Sequence, residues 1–473
     1  MLRKRLGLLL GPFCFCVVFV LEPFDGLNGQ GNAVLATTLW MATWWLSEVL
    51  PIAVTALMPI VLLPLTGGAS INQTTAAYGD KMLYLFVGGF IIAMAMQRWN
   101  LHKRIALFII NKIGTNTNNI LLGFILATGL LSMWISNTAT TLMMITIGSA
   151  LIHQMKETGN GEGNQFFKPL LLGIAFSASI GGVATLVGTP TNPIFVSIGE
   201  KLYGQEFSFV SWMVFAMPFS LLMLLICWLL LGRVVFKTHQ EKILLGAAII
   251  YEEYTKLGKI SYEEKAVGII FFATAVLWVT RSFVLDQFIP YINDTIIAIA
   301  AATMMFIIPS KQEKGRALLT WNEAEQLPWG VIILFGGGLS LAAAFQSSGL
   351  AKWLGDQLTL VADFPLLLII LVIALSVNFL TEVTSNVATA SIMLPVLASL
   401  ASAIGIHPYL LMVPTTMAAS CAFMLPIATG PNAIAFSVGE LEMKDMVKSG
   451  IWLNICSSLF ISLLVYFLLP VFL

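Results

Sequence analysis

The stretch MWISNTATTL, Met133 to Leu142, places a serine, an asparagine and three threonines together inside an apolar run. That run, from Ile113 to Gln154, contains no Asp, Glu, Lys or Arg. It is about twice as long as the roughly 20 residues that one helix needs to cross a bilayer. The run therefore has room for a helix that enters a membrane, turns at the polar residues and leaves on the same side.

The composition of the whole chain is that of a membrane protein. Of its 473 residues, 58% are hydrophobic and 10% are charged, and the mean hydropathy is +0.90. Soluble domains carry about 25% charged residues. The 24 basic and 24 acidic residues balance, which gives no indication of a nucleic-acid partner. The sequence predicts an all-α polytopic protein whose surroundings are the lipid bilayer.

The cysteines and histidines do not have the spacing of a metal site or a disulfide framework. The five cysteines lie in apolar segments, so we interpret them as small hydrophobic residues. The first apolar segment lacks a cleavage pattern and follows Arg3, Lys4 and Arg5. We expect this segment to be a membrane span with a cytoplasmic amino terminus.

The two halves of the chain resemble each other. LFVGGFIIAMAMQRWNLHKRIA begins at Leu85, and LFGGGLSLAAAFQSSGLAKWLG begins 249 positions later, at Leu334. The same offset superimposes two Ser-Asn pairs, which are Ser136 with Asn137 and Ser385 with Asn386. Internal duplication of this kind predicts two structural repeats.

A second polar motif follows each Ser-Asn pair. LVGTPTNPI, from Leu186, corresponds to PIATGPNAI, from Pro426, at an offset of 240. The slippage between the two offsets fits an extra loop, HQMKETGNGEGNQFFK, in the first half. The motif residues that correspond are Thr189 with Thr429 and Asn192 with Asn432.

The glycines and prolines of these second motifs predict broken helices, because proline lacks an amide hydrogen and clashes with the preceding turn. Irregular backbone at membrane depth persists only where protein buries it or where it lines a cavity. Free helix amino termini attract anions, and unwound carbonyls with Ser, Thr or Asn oxygens bind bare sodium. We therefore predict two re-entrant hairpins with Ser-Asn tips, where asparagine suits the turn because it tolerates left-handed backbone and can bond the local backbone.

The alternative interpretation is that Ser, Thr and Asn only pack helices together. For one isolated copy of the motif, helix packing is a better explanation than a binding site. The duplicated set favours a binding site. Neither site segment contains Lys or Arg, so a bound anion would rely on helix amino termini, hydroxyls, amides and co-bound cations. This pattern favours cation-coupled uptake.

Glu382 is the only formal charge between Phe364 and Gly439. A carboxylate inside the membrane is a functional candidate by default. Two roles stay open for it: a proton relay or cation ligand, and a structural strut. Glu48, in WWLSEVLPIAVTALMPIVLLPL, is expected to be structural.

The duplicated motifs and WWLSEVLPIAVTALMPIVLLPL resemble the divalent anion:sodium symporter family, from about Leu39 to Leu473. Its members carry dicarboxylates, citrate or sulfate. The resemblance implies a homodimer whose protomers each have about 11 membrane helices and two re-entrant hairpins, arranged as two inverted repeats. A scaffold domain would hold the dimer, and a transport domain would carry the substrate across by an elevator-like movement.

The resemblance also implies a division of the chain and a set of binding residues. We expect N-terminal scaffold helices over 1–78, the first repeat over 79–232, a linker with a surface helix and scaffold helices over 233–327, and the second repeat over 328–473. One sodium would lie against Ser132, Ser136, Asn137 and the backbone of Gly188. A second would lie against Thr381, Thr384, Ser385, Asn386 and the backbone of Ala428. The substrate carboxylates would lie among Ser136, Asn137, Thr138, Thr189, Ser385, Asn386, Val387 and Thr429.

The sequence departs from the commonest family pattern at its second tip and at both breaks. Val387 takes the place of a hydroxyl, and the breaks read GTPTN and ATGPN where many relatives have two prolines. These departures affect the choice of substrate, so succinate, malate, citrate and sulfate stay open.

The sequence thus predicts a sodium-coupled importer of C4-dicarboxylates (succinate, malate, fumarate) or citrate in the bacterial inner membrane, the plasma membrane. An exchanger of dicarboxylates or a sodium/sulfate symporter of the same architecture is the alternative. A hydrolase with Ser136 or Ser385 as nucleophile is disfavoured, because no motif positions a His or Asp to activate either serine. A channel is disfavoured because the two closed tips carry no ring of charges.

Overall fold

The protein is built from helices. The computed structural model describes residues 2–114, 116–157, 164–204, 207–236, 244–357 and 363–472. Within these ranges extended backbone pairs at one isolated bridge, between Pro309 and Ala317. The predicted all-α class is therefore confirmed.

The first half of the chain alternates long helices with short ones. Residues 158–163, inside the predicted extra loop, lie outside the described ranges. The helices are α1 (Leu2–Leu21), α2 (Gly29–Ser47), α3 (Ile52–Thr55), α4 (Met58–Thr66), α5 (Ile71–Ala76), α6 (Lys81–Arg98), α7 (Leu101–Ile113), α8 (Thr117–Ser132), α9 (Asn137–Glu157), α10 (Asn164–Gly182), α11 (Thr191–Tyr203) and α12 (Phe209–Leu229), which continues as a π-helix over Leu230–Val235.

The second half repeats this alternation. Its first helix lies in the stretch predicted to form a surface helix, of which residues 237–243 lie outside the described ranges. The helices are α13 (Leu244–Lys256), α14 (Tyr262–Thr280), α15 (Asp286–Phe288), α16 (Asp294–Ile307), α17 (Trp321–Ala324), α18 (Trp329–Ser347), α19 (Leu350–Gln357), α20 (Leu366–Thr381), α21 (Asn386–Ala403), α22 (Tyr409–Ala419), α23 (Gly430–Ser437) and α24 (Met443–Leu468).

Seven helical segments in the described ranges are long and apolar enough to cross a membrane, and six further apolar helices are shorter. Four of the shorter ones, α8, α10, α20 and α22, end where the polar motifs begin. A helix of the length of α8, 16 residues, is about 24 Å long. Because the hydrocarbon core is about 30 Å thick, such a helix stops inside it.

The polar motifs lie at four interruptions that correspond in pairs. Residues 133–136 separate α8 from α9, and residues 382–385 separate α20 from α21. Residues 183–190 separate α10 from α11, and residues 420–429 separate α22 from α23. The helix breaks predicted from glycine and proline therefore form where expected.

Close backbone contact positions the first hairpin against the first broken helix. A Cβ atom on Gly181 of α10 would overlap the carbonyl oxygen of Gly129 in α8. Glycine is needed there because helices in membranes approach closely only at small residues. This contact places the end of α8 beside the end of α10.

A buried ion pair ties α14 to α7. Arg104 and Glu264 form two hydrogen bonds of 2.8 and 3.1 Å, and their side chains are 9% and 6% exposed. Arg104 also donates to the carbonyls of Leu257 and Gly258. The guanidinium therefore depends on Glu264 for its charge balance.

We expect Glu264→Gln to destabilise the protein by about 3 to 5 kcal/mol, because it leaves the Arg104 charge buried without its partner. Thermal unfolding in detergent measures this loss. Glu252→Gln is the control, since its ion pair with Lys256 is exposed to solvent and should contribute little to stability. Equal melting temperatures for the two variants would contradict the assignment.

Candidate functional site

Oxygen atoms surround the side chain of Asn137 at the first hairpin tip. Ser132, the last residue of α8, donates to Ala178 O at 2.7 Å. With its amide nitrogen turned toward this group, Asn137 Nδ2 lies 2.6 Å from Ser132 Oγ, 3.1 Å from Ala178 O and 3.2 Å from Gly188 O, and its two N–H groups are shared among these acceptors. The hairpin tip is thus joined to the broken helix through one amide.

The same arrangement is chemically suited to a small cation. The nitrogen and oxygen of an asparagine amide are nearly identical in shape, so the amide can also turn its oxygen toward Ser132, Ala178 and Gly188. Four oxygens then face one another with one hydroxyl hydrogen, that of Ser132, among them, and a positive charge at their centre would be favoured. Side-chain oxygens and unwound carbonyls are the ligands that transporters offer to sodium.

The second tip has similar contacts through the corresponding threonine and asparagine. The hydroxyl of Thr381, the last residue of α20, lies 2.8 Å from Asn386 Oδ1 and 2.9 Å from Ala419 O, and its one hydrogen is shared between these two acceptors. Thr384 instead contacts Leu380 O at 2.9 Å and Thr389 Oγ1 at 2.5 Å, within its own hairpin. The duplication seen in the sequence is therefore also a duplication of contacts.

An asparagine holds the unwound backbone in each broken helix. In the first, Asn192 Nδ2 donates to Val183 O at 3.1 Å and to Thr185 O at 2.7 Å. In the second, Asn432 Nδ2 donates to Leu425 O at 3.0 Å and to Ala422 O at 3.2 Å. These bonds fix the direction in which the other carbonyls of each break point.

The two halves meet at their breaks. Thr191 Oγ1 lies 2.7 Å from Ser420 Oγ, and Thr189 Oγ1 lies 3.5 Å from the same atom. On the first tip, Thr138 packs so closely against the second break that a Cβ atom on Gly430 would come within 2.5 Å of its hydroxyl. The first tip and the second break therefore share one surface.

The predicted site residues fall into an accessible set and a buried set. Accessible side chains are open at the surface of the site, whereas a ligand reaches the buried ones only from within it. The accessible residues are Ser136, Asn137, Thr138, Ser385, Asn386 and Thr429. The buried residues are Ser132, Gly188, Thr189, Thr381, Thr384, Val387 and Ala428.

The tip asparagines do not use the left-handed backbone that asparagine tolerates in turns. Among the described non-glycine residues, φ is positive at Glu22, Glu48 and Asn100. Asn137 and Asn386 instead begin the second helix of each hairpin. The turn is completed by the residues before them, so helical backbone suffices for the asparagines and their amides are free to bind the breaks.

Sequence reasoning missed two residues of this region, Thr185 and Ser420. The Thr185 hydroxyl donates to Met133 O and also accepts from the amide of Gly188. Ser420 bonds to the threonines of the opposite half. Neither stands out in the sequence, because small polar residues are frequent in the surrounding helices.

Paired hairpins and broken helices, with polar groups gathered where the helices stop, define a secondary membrane transporter. Residues 3–471 match the family described as sodium:sulfate symporter transmembrane region, and the chain belongs to that family.

Relatives in this family include the sodium-dependent dicarboxylate transporters SdcS of two staphylococci. The protein of Staphylococcus saprophyticus is 45% identical, and the alignment covers 99% of this chain and 92% of the relative. The protein of Staphylococcus aureus strain MRSA252 is 46% identical with the same coverage. The predicted transporter rather than enzyme, and the multi-pass location in the plasma membrane, are confirmed by the family and its bacterial relatives.

Two solved transporter structures have a similar fold. The YdaH transporter of Alcanivorax borkumensis superimposes with a TM-score of 0.62 at 12% identity, over 91% of this chain and 98% of that one. MtrF of Neisseria gonorrhoeae, described as illuminating a class of antimetabolite efflux pumps, gives a TM-score of 0.56 at 11% identity, over 86% of this chain and 83% of that one. At such identities the likeness concerns the fold alone.

Proposed function

We propose that this protein imports C4-dicarboxylates such as succinate, malate and fumarate, or citrate, by sodium-coupled symport. The observation that carries the proposal is the paired oxygen cluster, in which a Ser or Thr joins the tip asparagine to the helix that leads into the break in each half. The printed names of the staphylococcal relatives, sodium-dependent dicarboxylate transporters, support the same choice of ion and substrate.

Each sodium binds where a tip meets a break. The first ion lies against Ser132, Ser136, Asn137 and Gly188, and the second against Thr381, Thr384, Ser385, Asn386 and Ala428. The oxygens converging on Asn137 support the first assignment directly. The matching bonds of Thr381 support the second, although the Thr384 hydroxyl must first leave Thr389.

The substrate binds between the two tips through both carboxylates. Its groups contact the accessible residues together with Thr189 and Val387, and the co-bound sodium ions supply the positive charge that the site's side chains lack. Helix amino termini at Asn137 and Asn386 add a favourable dipole to each end of the anion. Occupied ion sites thereby complete the anion site, which couples the two fluxes.

The architecture that accompanies this function has two inverted repeats with about 11 membrane helices and two re-entrant hairpins. We place the first repeat in 79–232 and the second in 328–473, with scaffold helices in 1–78 and, after a linker and surface helix, within 233–327. The contact-by-contact correspondence of the hairpins supports the two repeats. A homodimer completes the assembly, and crosslinking in membranes would detect it.

An elevator-like movement of a transport domain needs room between the hairpins and the helices that stay fixed. Two cavities, of about 410 and 310 Å³, lie between parts of α11 and α18, and the larger also reaches α19 and α21. Both share Leu202, Ala342 and Gln346 in their walls. Such cavities would give the hairpin bundle room to slide against α18.

Uptake of labelled succinate by proteoliposomes tests the proposal. We expect an inward sodium gradient to drive accumulation, and replacement of sodium by choline to reduce uptake to the level of empty liposomes. Unlabelled malate, fumarate, citrate and sulfate, added as competitors, rank the substrates. Competition by sulfate alone would favour the sodium/sulfate symporter.

The same vesicles separate symport from exchange. Counterflow from vesicles preloaded with succinate, at equal sodium on both sides or without sodium, would favour the exchanger if it were as fast as gradient-driven uptake. Uptake that is unchanged in choline would overturn sodium coupling.

A further inference from the structure

We propose that Glu382 is a positioning residue for the second sodium site: its carboxylate holds the unwound segment after α22 in the shape that presents carbonyl oxygens to the ion. This inference rests on the proposed sodium-coupled function. It settles the choice between the two roles that the sequence leaves open for Glu382.

The carboxylate of Glu382 is 3% exposed and accepts four hydrogen bonds. Three come from consecutive backbone amides of the break: Phe423 N at 2.7 Å and Met424 N at 2.8 Å to Oε1, and Leu425 N at 3.0 Å to Oε2. The fourth comes from Asn454 Nδ2 of α24, at 2.8 Å. Charge-assisted bonds of this kind are about twice as strong as neutral ones.

These bonds determine where the carbonyls of the break point. When a carboxylate binds successive amide hydrogens from one side, the carbonyls of the same peptide units turn away from it. Asn432 binds Leu425 O and Ala422 O, and Asn378 binds Cys421 O at 2.8 Å. Glu382 thus binds the backbone amides of this segment, while Asn378 and Asn432 bind some of its carbonyls.

The first half has no equivalent charge. The residue that corresponds to Glu382 at the offset of 249 is Met133. Uncharged donors bind the carbonyls of the first break instead. Trp212 Nε1 donates to Val183 O at 3.0 Å, and just before the break Ser220 Oγ donates to Ile180 O at 2.7 Å. A fixed negative charge therefore lies beside the second tip, where it favours a bound cation. The first tip has Met133 at the corresponding position.

The hydrogen bonds also argue against a proton relay. All four described partners of the carboxylate are N–H donors. Three of these bonds end on Oε1, so a proton on that oxygen would point at another hydrogen and break at least one of them, and a proton on Oε2 would weaken all four by removing the negative charge. Glu382 is thus held as a carboxylate by the backbone that it organises.

The test is the sodium dependence of succinate uptake by Glu382→Gln in proteoliposomes. We expect the sodium concentration for half-maximal uptake to rise by at least about tenfold, because glutamine removes the negative charge and places an NH2 group where Oε2 accepts from Leu425 N. The maximal rate and the succinate KM at saturating sodium should change by less than about threefold. Glu382→Asp, which restores the charge, should recover part of the sodium affinity.

Glu263→Gln is the matched control. Glu263 is also fully buried and accepts from two consecutive backbone amides, Lys311 N at 2.7 Å and Gln312 N at 2.9 Å, but it lies outside the hairpins. We expect this variant to lose thermal stability without a change in sodium affinity. An equal shift in both variants would reduce Glu382 to a general structural role.

A second variant covers the case in which Glu382→Gln does not fold. Asn454→Ala removes one of the four donors and leaves the carboxylate in place, so a smaller shift in the same direction, about threefold, is expected. Unchanged sodium affinity in folded Glu382→Gln or in Asn454→Ala would overturn the inference. Sodium-independent uptake by the wild-type protein would instead overturn the proposed function.

Discussion

Asn137→Ala is expected to reduce sodium-driven succinate uptake by about 100-fold or more. The alanine removes an amide with three partners, Ser132, Ala178 and Gly188. The amide has two N–H groups, so at about 1 kcal/mol net for each bond the tip loses about 2 kcal/mol of attachment to the break, which corresponds to about 30-fold in an equilibrium constant. The same substitution removes a predicted sodium ligand. Initial rates of uptake in proteoliposomes measure the loss.

Asn116→Ala is the control for this variant. Asn116 caps the other end of the same helix, α8, where its side chain accepts from Asn119 N at 2.8 Å. Loss of such a cap costs about 1 kcal/mol of stability and should leave uptake nearly unchanged. Asn386→Ala should behave like Asn137→Ala, since its tip has the corresponding bonds. Normal transport by both tip variants would show that the site lies elsewhere.

The sequence predicts those parts of the site at which the bilayer restricts which residues are tolerated. Polar residues at membrane depth need partners, so a duplicated Ser-Asn pair in a charge-free run already indicates two special turns. The structure places both turns at corresponding four-residue interruptions, 133–136 and 382–385. The glycine- and proline-rich motifs likewise mark both breaks, because proline and glycine end helices for local reasons.

The partners of these residues could not be predicted, since they come from distant parts of the chain and from backbone. Ser132 bonds to the carbonyl of Ala178, and a carbonyl leaves no signature in a sequence. Glu382 is the clearest case: three of its four partners are backbone amides. A strut and a proton relay therefore look alike in sequence, and only the donors distinguish them.

The tip asparagines do not adopt left-handed backbone, for a related reason. Left-handed backbone is a local preference of asparagine in turns. In this protein the serine before each asparagine precedes the helix, and Ser385 has extended backbone with φ −70° and ψ 134°. Asn137 and Asn386 can then remain helical and direct their amides at the breaks. The tertiary contacts made in this way stabilise the helical backbone more than the local preference favours the left-handed one.

Gly188→Ala is expected to abolish sodium-driven uptake while the protein still folds. A Cβ atom at this position would overlap the carbonyl oxygen of Gly182 and lie 2.9 Å from its Cα atom. These are backbone atoms, which cannot rotate away, so the break itself must move. Because Gly188 O is one of the oxygens around Asn137, the first sodium site moves with it. Uptake and the sodium-dependent rise in melting temperature measure the two losses.

Two substitutions separate this effect from a general loss of packing. Gly79→Ala adds the same methyl group where no atom lies within 4 Å, and it should transport normally. Ala428→Gly removes the methyl group at the corresponding position of the second break, where the chain already accommodates one, and it should cost little beyond about 1 kcal/mol of stability. If Gly188→Ala kept its sodium-dependent stabilisation, the carbonyl of Gly188 would not be a ligand. The first ion would then have to be assigned to the side chains of the tip alone.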